Sequence, residues 1–303
     1  MPPYVARLEF GFRERRYIPR MNTPATTLEH LSVLLISGPD ARNFLQGQLS
    51  ADMEALTPDH LMLACCNSPQ GRAQAIAWVV ARAEGIALLV SRAVVERIEL
   101  RLRRYVLRAK VAIERDRLAV GMLDPSIDAS ETAKRSHALV GDLSELRWPG
   151  HRYPLVIAPG LDAAPDAQRE SLWKADYLRA GLPQIYEETY ERFVAQMLNL
   201  DLLDGISFAK GCYTGQEIIA RTHYRGAVKR RMFRFRAACG APTPGTRVLA
   251  ADQHAGEVVD SIPTESGCEL LAVVSLPQLQ QPLALESSAD VPLEQLALPY
   301  DVL

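Results

Sequence analysis

The chain has 303 residues, 48% of them hydrophobic and 23% charged, with a formal net charge of −2. That composition excludes a disordered, collagen-like or coiled-coil chain, and the length predicts two or three domains, each with its own core. No run of about 18 apolar residues exists and the start lacks the apolar stretch of a signal peptide, so no membrane partner is expected and the predicted location is the cytoplasm.

Residues 1–27 hold Pro2, Pro3, Pro19 and Pro24 among scattered arginines and read as an N-terminal extension outside the fold. Leu31–Ile36 alternates as a strand into a Gly38-Pro39-Asp40 turn, where Asp40 is placed to cap a helix burying Ala41, Phe44, Leu45 and Leu49. Ile76–Val80 and Ile86–Val90 form two strands hinged at Glu84-Gly85. A helix from about Ala93 to Leu107 follows, with Val94, Ile98, Leu102 and Tyr105 inward and Arg97, Arg101, Arg104 and Arg108 on a solvated face. Further short strands fall at Leu118–Leu123 and Leu155–Ile157. From Ala237 onward, runs at Arg247–Ala250, Gly256–Val259 and Glu269–Val274 between Pro/Gly turns predict a small antiparallel barrel or sandwich.

The near-zero charge hides two opposite blocks. Ile218–Arg247 carries eight cations (Arg221, Arg225, Lys229, Arg230, Arg231, Arg234, Arg236 and Arg247) and no acid. Val248–Leu303 carries nine acids and no Lys or Arg. A basic face flanking a separate acidic C-terminal domain is the expectation. Cys65, Cys66, Cys212, Cys239 and Cys268 show no C-x-x-C spacing, and neither they nor His30, His60, His137, His151 and His254 are spaced as metal ligands.

The segment that carries chemistry runs from Gly205 to Gly226. Thr214 with Glu217 fits a capping box, which predicts a helix starting at Gly215 and turning Ile218, Ile219 and Thr222 inward. Cys212 then stands just before a helix N-terminus and two residues after Lys210, one of only five lysines, and both favour its thiolate. Gly211 and Gly215 would let the backbone approach a ligand. A capped helix with an inert cysteine explains the same residues without function.

These residues resemble the signature of the YgfZ-type folate-binding family, relatives of the glycine-cleavage T-protein. Lys210-Gly211-Cys212-Tyr213-Thr214-Gly215-Gln216-Glu217 stands complete, followed by Ala220-Arg221 and Tyr224-Arg225-Gly226. Gly38 to Leu49, Gly71-Arg72, Ala180 to Ile185, Asn199-Leu200, Ile206-Ser207-Phe208 and the closing Leu298-Pro299-Tyr300 also resemble the family, so that the likeness spans about residues 28–303. It implies an α+β fold in which two lobes over 28–236 and a C-terminal antiparallel β-barrel over 237–303 surround a central channel. Tetrahydrofolate or another reduced folate would bind there. Trp173 would stack on the pterin and Leu31 would form a second wall; Tyr213, Gln216, Glu217 and Arg221 would line the channel. Cys212 is implied to be the functional thiol, with Lys210 tuning it or meeting an anion.

The implied function is a folate-dependent accessory protein for iron–sulfur enzymes or their assembly machinery, with an indirect link to tRNA through radical enzymes that modify it. The T-protein places a carboxylate after its first strands, whereas Asn67–Ala75 has none here, which disfavours aminomethyl transfer. Two other readings stay open: a folate-dependent one-carbon transferase, and a direct RNA-binding protein using the basic block with Tyr224, Phe233 and Phe235.

Overall fold

The computed structural model describes residues 26–123, 136–140, 143–148, 151–161 and 163–302. Residues 1–25 of the expected extension lie outside these; its last two do not, for Thr26–Thr27 forms strand β1. Then come β2 (Leu31–Ser37), α1 (Ala41–Gln46), β3 (Met62–Asn67), β4 (Ala73–Arg82), β5 (Gly85–Ser91), α2 (Val95–Tyr105), β6 (Ala112–Arg115) and β7 (Ala119–Met122). β8 (Ser136–Val140), β9 (Leu143–Arg147), β10 (Leu155–Ala158), α3 (Ala167–Arg179) and α4 (Gln216–Arg225) lead to the C-terminal strands. Those are β11 (Arg230–Ala237), β12 (Arg247–Ala250), β13 (Gln253–Thr264), β14 (Gly267–Ser275), β15 (Leu283–Leu285), β16 (Ser288–Pro292) and β17 (Glu294–Leu296).

Three antiparallel sheets result, ordered β3-β4-β5-β2-β6, β1-β7-β10-β9-β8 and β16-β15-β12-β13-β14-β11-β17. In the first, β4 and β5 form the expected hairpin, paired from Trp78↔Leu89 to Arg82↔Gly85. β2 lies between β5 and β6 and is buried along nearly its whole length, which explains its almost unbroken apolar sequence.

The third sheet is an open, curled half-barrel whose edges are β16 and β17. It begins at β11, which pairs with β14 over eight residues from Arg230↔Ser275 to Ala237↔Cys268, so the sheet reaches back across the expected boundary at 236/237. Alternation along β11 sends Met232 into the core shared with the two lobes and Phe233 and Phe235 into a second core under the half-barrel. β14 does the same, with Leu271 and Val273 on one side and Leu270, Ala272 and Val274 on the other. A strand buried on both faces needs this continuous apolar run.

Two local expectations fail for physical reasons. Asp40 precedes α1 but does not cap it: its carboxylate accepts from the Lys110 backbone N–H at 2.6 Å, and the helix ends at Gln46, before Leu49. Arg101 on α2 is buried rather than solvated, donating to the Cys66 Sγ at 2.8 Å and to the Asn67 carbonyl at 3.0 Å.

Candidate functional site

The signature segment is a loop stitched to the chain that follows α1. Ser207 N–H donates to the Ser50 carbonyl at 2.9 Å and Thr214 N–H to the Gly47 carbonyl at 3.1 Å. The buried Ser50 hydroxyl donates to the Gly205 carbonyl and accepts from Cys65 N–H. Lys210 closes the seam. Its ammonium donates to the carbonyls of Gln46 (2.6 Å), Leu49 (3.0 Å) and Ala51 (2.7 Å), and lies 5.1 Å from the centre of the Tyr213 ring. Three N–H groups meeting three carbonyls leave none for Cys212 or an anionic ligand, so Lys210 acts here as a clamp. Burial draws its pKa down to about 8, with Asp52 opposing.

Past the clamp, Cys212 is exposed and Tyr213 is buried, its hydroxyl without a partner. The expected capping box does not form. α4 begins at Gln216 behind Gly215, whose φ of +84° is left-handed and which provides no side-chain cap. A Cβ at Gly215 would lie 2.5 Å from the Ser68 carbonyl oxygen, and one at Gly71 would lie 2.9 Å from Ile218 Cβ. Gly215 and Gly71 therefore let two stretches of the protein touch, where a ligand approach was expected at Gly215, whereas a Cβ on Gly211 would meet nothing within 4 Å. On α4, Ile219 is buried and Ile218 and Thr222 are half-buried; Gln216, also half-buried, donates to the Lys210 carbonyl at 3.5 Å. Glu217 and Arg221 are exposed, one turn apart.

A second set of residues gathers around Trp173. α3 starts at Asp166, whose carboxylate accepts from the N–H groups of Gln168 and Arg169, and it carries Trp173 and Tyr177 four residues apart on its buried side. Their rings stack at 4.7 Å, and the column continues through Trp78 (5.8 Å from Tyr177) to Trp148 (5.5 Å from Trp78). Two histidines lean on the indole, His30 at 5.1 Å and His151 at 5.4 Å. Trp173 is 1% exposed, so it presents no open face for stacking. Leu31 is buried at the start of β2, and it is His30, one residue earlier, that meets Trp173. Sequence reading assigned these histidines no metal role and gave them no other; nothing local marks residues that stand 143 and 22 positions from their partner.

What distinguishes this cluster is unmet hydrogen bonding. The Trp173 Nε1, the His30 Nε2 and the His151 Nε2 are buried without a hydrogen-bond partner, while the His30 Nδ1 lies 2.6 Å from the Glu170 carboxylate. Buried polar atoms are normally paired, so three orphans around one indole mark either strain or a missing ligand. Burial keeps both histidines neutral: the pKa of His30 falls to about 3, helped by Lys174 and Arg92, and that of His151 to about 4, with Asp176 opposing. The ring partners of Trp173 are Tyr177, His30 and His151, and none comes from α4.

No protein-family profile matches the chain. Among curated proteins it is similar to the tRNA-modifying protein YgfZ of Edwardsiella ictaluri, 34% identical over 247 residues that cover 69% of this chain and 73% of the relative. The YgfZ of Klebsiella pneumoniae is 32% identical over 254 residues, 76% of each chain. This chain belongs to the YgfZ family. Among solved structures, the glycine cleavage system aminomethyltransferase T of Bartonella henselae superposes with a TM-score of 0.71 over 91% of this chain and 85% of that one, at 13% identity, so the YgfZ chain has the T-protein fold.

Other segments that carry the YgfZ resemblance are also held together by side-chain hydrogen bonds. The Tyr300 hydroxyl donates to the Gly181 carbonyl at 2.8 Å and accepts from the Asn199 amide at 3.4 Å, fastening the chain's closing segment to the lobes. A Cβ on Gly181 would meet the Tyr300 ring at 2.8 Å. The Asn67–Ala75 stretch, acid-free in sequence, is approached by a distant carboxylate: Glu191 accepts from the Gln74 amide at 2.6 Å.

The opposite charge blocks turn out to be paired strands of one sheet. Arg234 and Arg236 on β11 meet Glu269 on β14 and Glu294 on β17 at 3.3 and 2.7 Å, Arg247 meets Glu286 at 2.9 Å, and Arg231 grips Asp201 through two bonds of 2.6 and 2.9 Å. Phe233 and Phe235, expected as nucleic-acid contacts in the RNA reading, are core residues. Half of the basic block is thereby neutralised.

Proposed function

We propose that this YgfZ-family protein is a folate-binding accessory factor for tRNA modification, supporting iron–sulfur-dependent modifying enzymes through the thiol of Cys212. The observation that carries the folate reading is the set of three unpaired polar atoms around Trp173. A pterin has a flat ring and an edge of alternating donors and acceptors, which suits an indole N–H and two neutral imidazoles. In that reading Trp173 offers the ligand its N–H edge, while Tyr177 covers its ring, and His30 and His151 supply the remaining contacts. Folate brings the one-carbon or redox chemistry; the protein's part is to bind and orient it.

Cys212 suits a thiol that acts on something outside the protein. It is exposed, yet the loop on either side is fixed by Lys210, Ser207, Thr214 and Gly215. Lys210 is a positioning residue in this scheme, and Tyr213 and Gln216 pack the loop from within. Glu217 and Arg221 are the exposed α4 residues closest in sequence to the thiol. Aminomethyl transfer is not favoured, because the acid that reaches Gln74 is tied to that amide and stands on an exposed loop. Complementation of a bacterial strain lacking its own YgfZ tests the reading, with tRNA nucleosides quantified. Wild type restores the modified nucleosides, Cys212→Ala does not, and full restoration by Cys212→Ala would refute the thiol role.

A further inference from the structure

The outer face of α4 and the turn after it keep the charge that the rest of the basic block has spent. Arg231, Arg234, Arg236 and Arg247 are paired with carboxylates, whereas Arg221, Arg225, Lys229 and Arg230 have no carboxylate partner among the described residues. Glu217, one turn before Arg221, is the single acid on the helix and makes no ion pair with it. Among these cations stands Tyr224, 67% exposed. Its ring is propped on edge by His223 (4.7 Å, 82°) and by Phe208 (6.3 Å, 76°), and those two lie flat on each other at 3.8 Å. A large exposed aromatic held in a fixed pose by two rings, within six residues of four unneutralised cations along the chain, is a combination that few ligands satisfy. An apolar protein surface would cover Tyr224 but leave four charges desolvated without counter-ions. A nucleotide chain supplies both needs, with a π-face for the ring and a phosphate for each cation.

We propose that this α4 face is an RNA contact, seating an unpaired base on Tyr224 and its flanking phosphates on Arg221, Arg225, Lys229 and Arg230. An unpaired base is required because stacking on a side chain needs a base free of its helix. Tyr224 lies about 12 Å along α4 from the helix start, at about 1.5 Å per residue, and Cys212 precedes that start by four residues. RNA held there runs beside the thiol-bearing loop. The inference rests on the tRNA reading above and adds to it a direct contact, made by Tyr224 and the unpaired half of the basic block without the buried Phe233 and Phe235.

Fluorescence anisotropy of the full chain with a labelled single-stranded RNA and with an unmodified tRNA transcript tests it, across about 50 to 200 mM salt. Four phosphate contacts predict a log–log salt slope of about −2.8 on single-stranded RNA, and Lys229→Ala with Arg230→Ala reduces its magnitude by about 1.4. Tyr224→Ala weakens binding about tenfold while Tyr224→Phe stays within about twofold of wild type. Absence of RNA binding at the lowest salt overturns the proposal, as does binding that none of these variants alters. Unchanged RNA affinity with lost complementation in Tyr224→Ala would assign the face to a protein partner and overturn it too. Tetrahydrofolate titration of the same samples separates the two readings: folate bound without RNA defeats only this inference, and Tyr224-dependent RNA binding without folate defeats only the folate assignment.

Discussion

The signature loop and the Trp173 cluster are both built around polar groups taken out of water, and they treat those groups in opposite ways. In the loop, the Lys210 ammonium meets three carbonyls, Ser50 both donates and accepts, and the glycines bring backbone against backbone. Around Trp173, three nitrogens are buried with no hydrogen-bond partner. A fully satisfied region is stiff and complete, and can hold an exposed thiol in one place. A region with orphaned donors and acceptors has already met part of the cost of binding, because a ligand that pairs them recovers free energy that the folded chain alone forgoes. The first is built as a mount, and the second suits the receptor role proposed for it.

Breaking either region sharpens that contrast. Trp173→Ala removes a buried indole packed on Tyr177, His30 and His151 and should cost about 3–5 kcal/mol, read from denaturant midpoints, so truncation here reports folding before it reports ligand binding. Lys210→Met strands three carbonyls and should cost about 3 kcal/mol. Lys210→Arg should recover only part of this, because a planar fork cannot aim at three converging oxygens. Gly215→Ala forces a side chain into a left-handed backbone beside the Ser68 carbonyl, with an expected loss of about 2 kcal/mol.

Acid should act on the receptor and spare the mount. His30, facing Glu170, Lys174 and Arg92, and His151, facing Asp176 and Arg152, have folded-state pKa values of about 3 and about 4. Both lie below the ordinary 6.5, so between pH 6.5 and 4 the unfolded chain binds protons that the folded chain refuses, and stability falls as pH falls. Asp260, raised by burial to about 6, works the other way over part of that range, binding its proton more tightly when folded. Two histidines outweigh one carboxyl, so Tm should drop between pH 7 and 5, and His151→Asn should flatten that dependence. The smallest effect on stability belongs to Cys212→Ala: an exposed side chain with no hydrogen-bond partner among the described residues leaves Tm within about 2 °C of wild type, even as complementation is lost.

Much of the fold was legible in the sequence where local rules and tertiary needs agree. β12 spans Arg247–Ala250 as its alternation predicts, and the β4–β5 hairpin turns where Glu84-Gly85 does. Reading failed where a distant group competes for a side chain. Asp40 is drawn to Lys110 N–H and abandons its helix, and Arg101 leaves solvent for Cys66. Lys210 looked like a charge available to a thiol or an anion because sequence shows the ammonium but not the three carbonyls 159 to 164 residues away. The charge blocks misled in the same manner: a basic run and an acidic run look like two faces until β11, β14 and β17 pair and Arg234 and Arg236 meet Glu269 and Glu294. Trp173 was found through resemblance, while His30 and His151, which complete its surroundings, carry no local signal at all.

The contrast between mount and receptor is tested most directly by calorimetric titration of the anaerobic protein with tetrahydrofolate, comparing wild type, Trp173→Phe and Cys212→Ala. Trp173→Phe keeps an aromatic ring and removes the indole N–H. Saturable binding by wild type, weakened about tenfold in Trp173→Phe and unchanged in Cys212→Ala, is the predicted result. No binding by wild type, or equal affinity in Trp173→Phe, would contradict it.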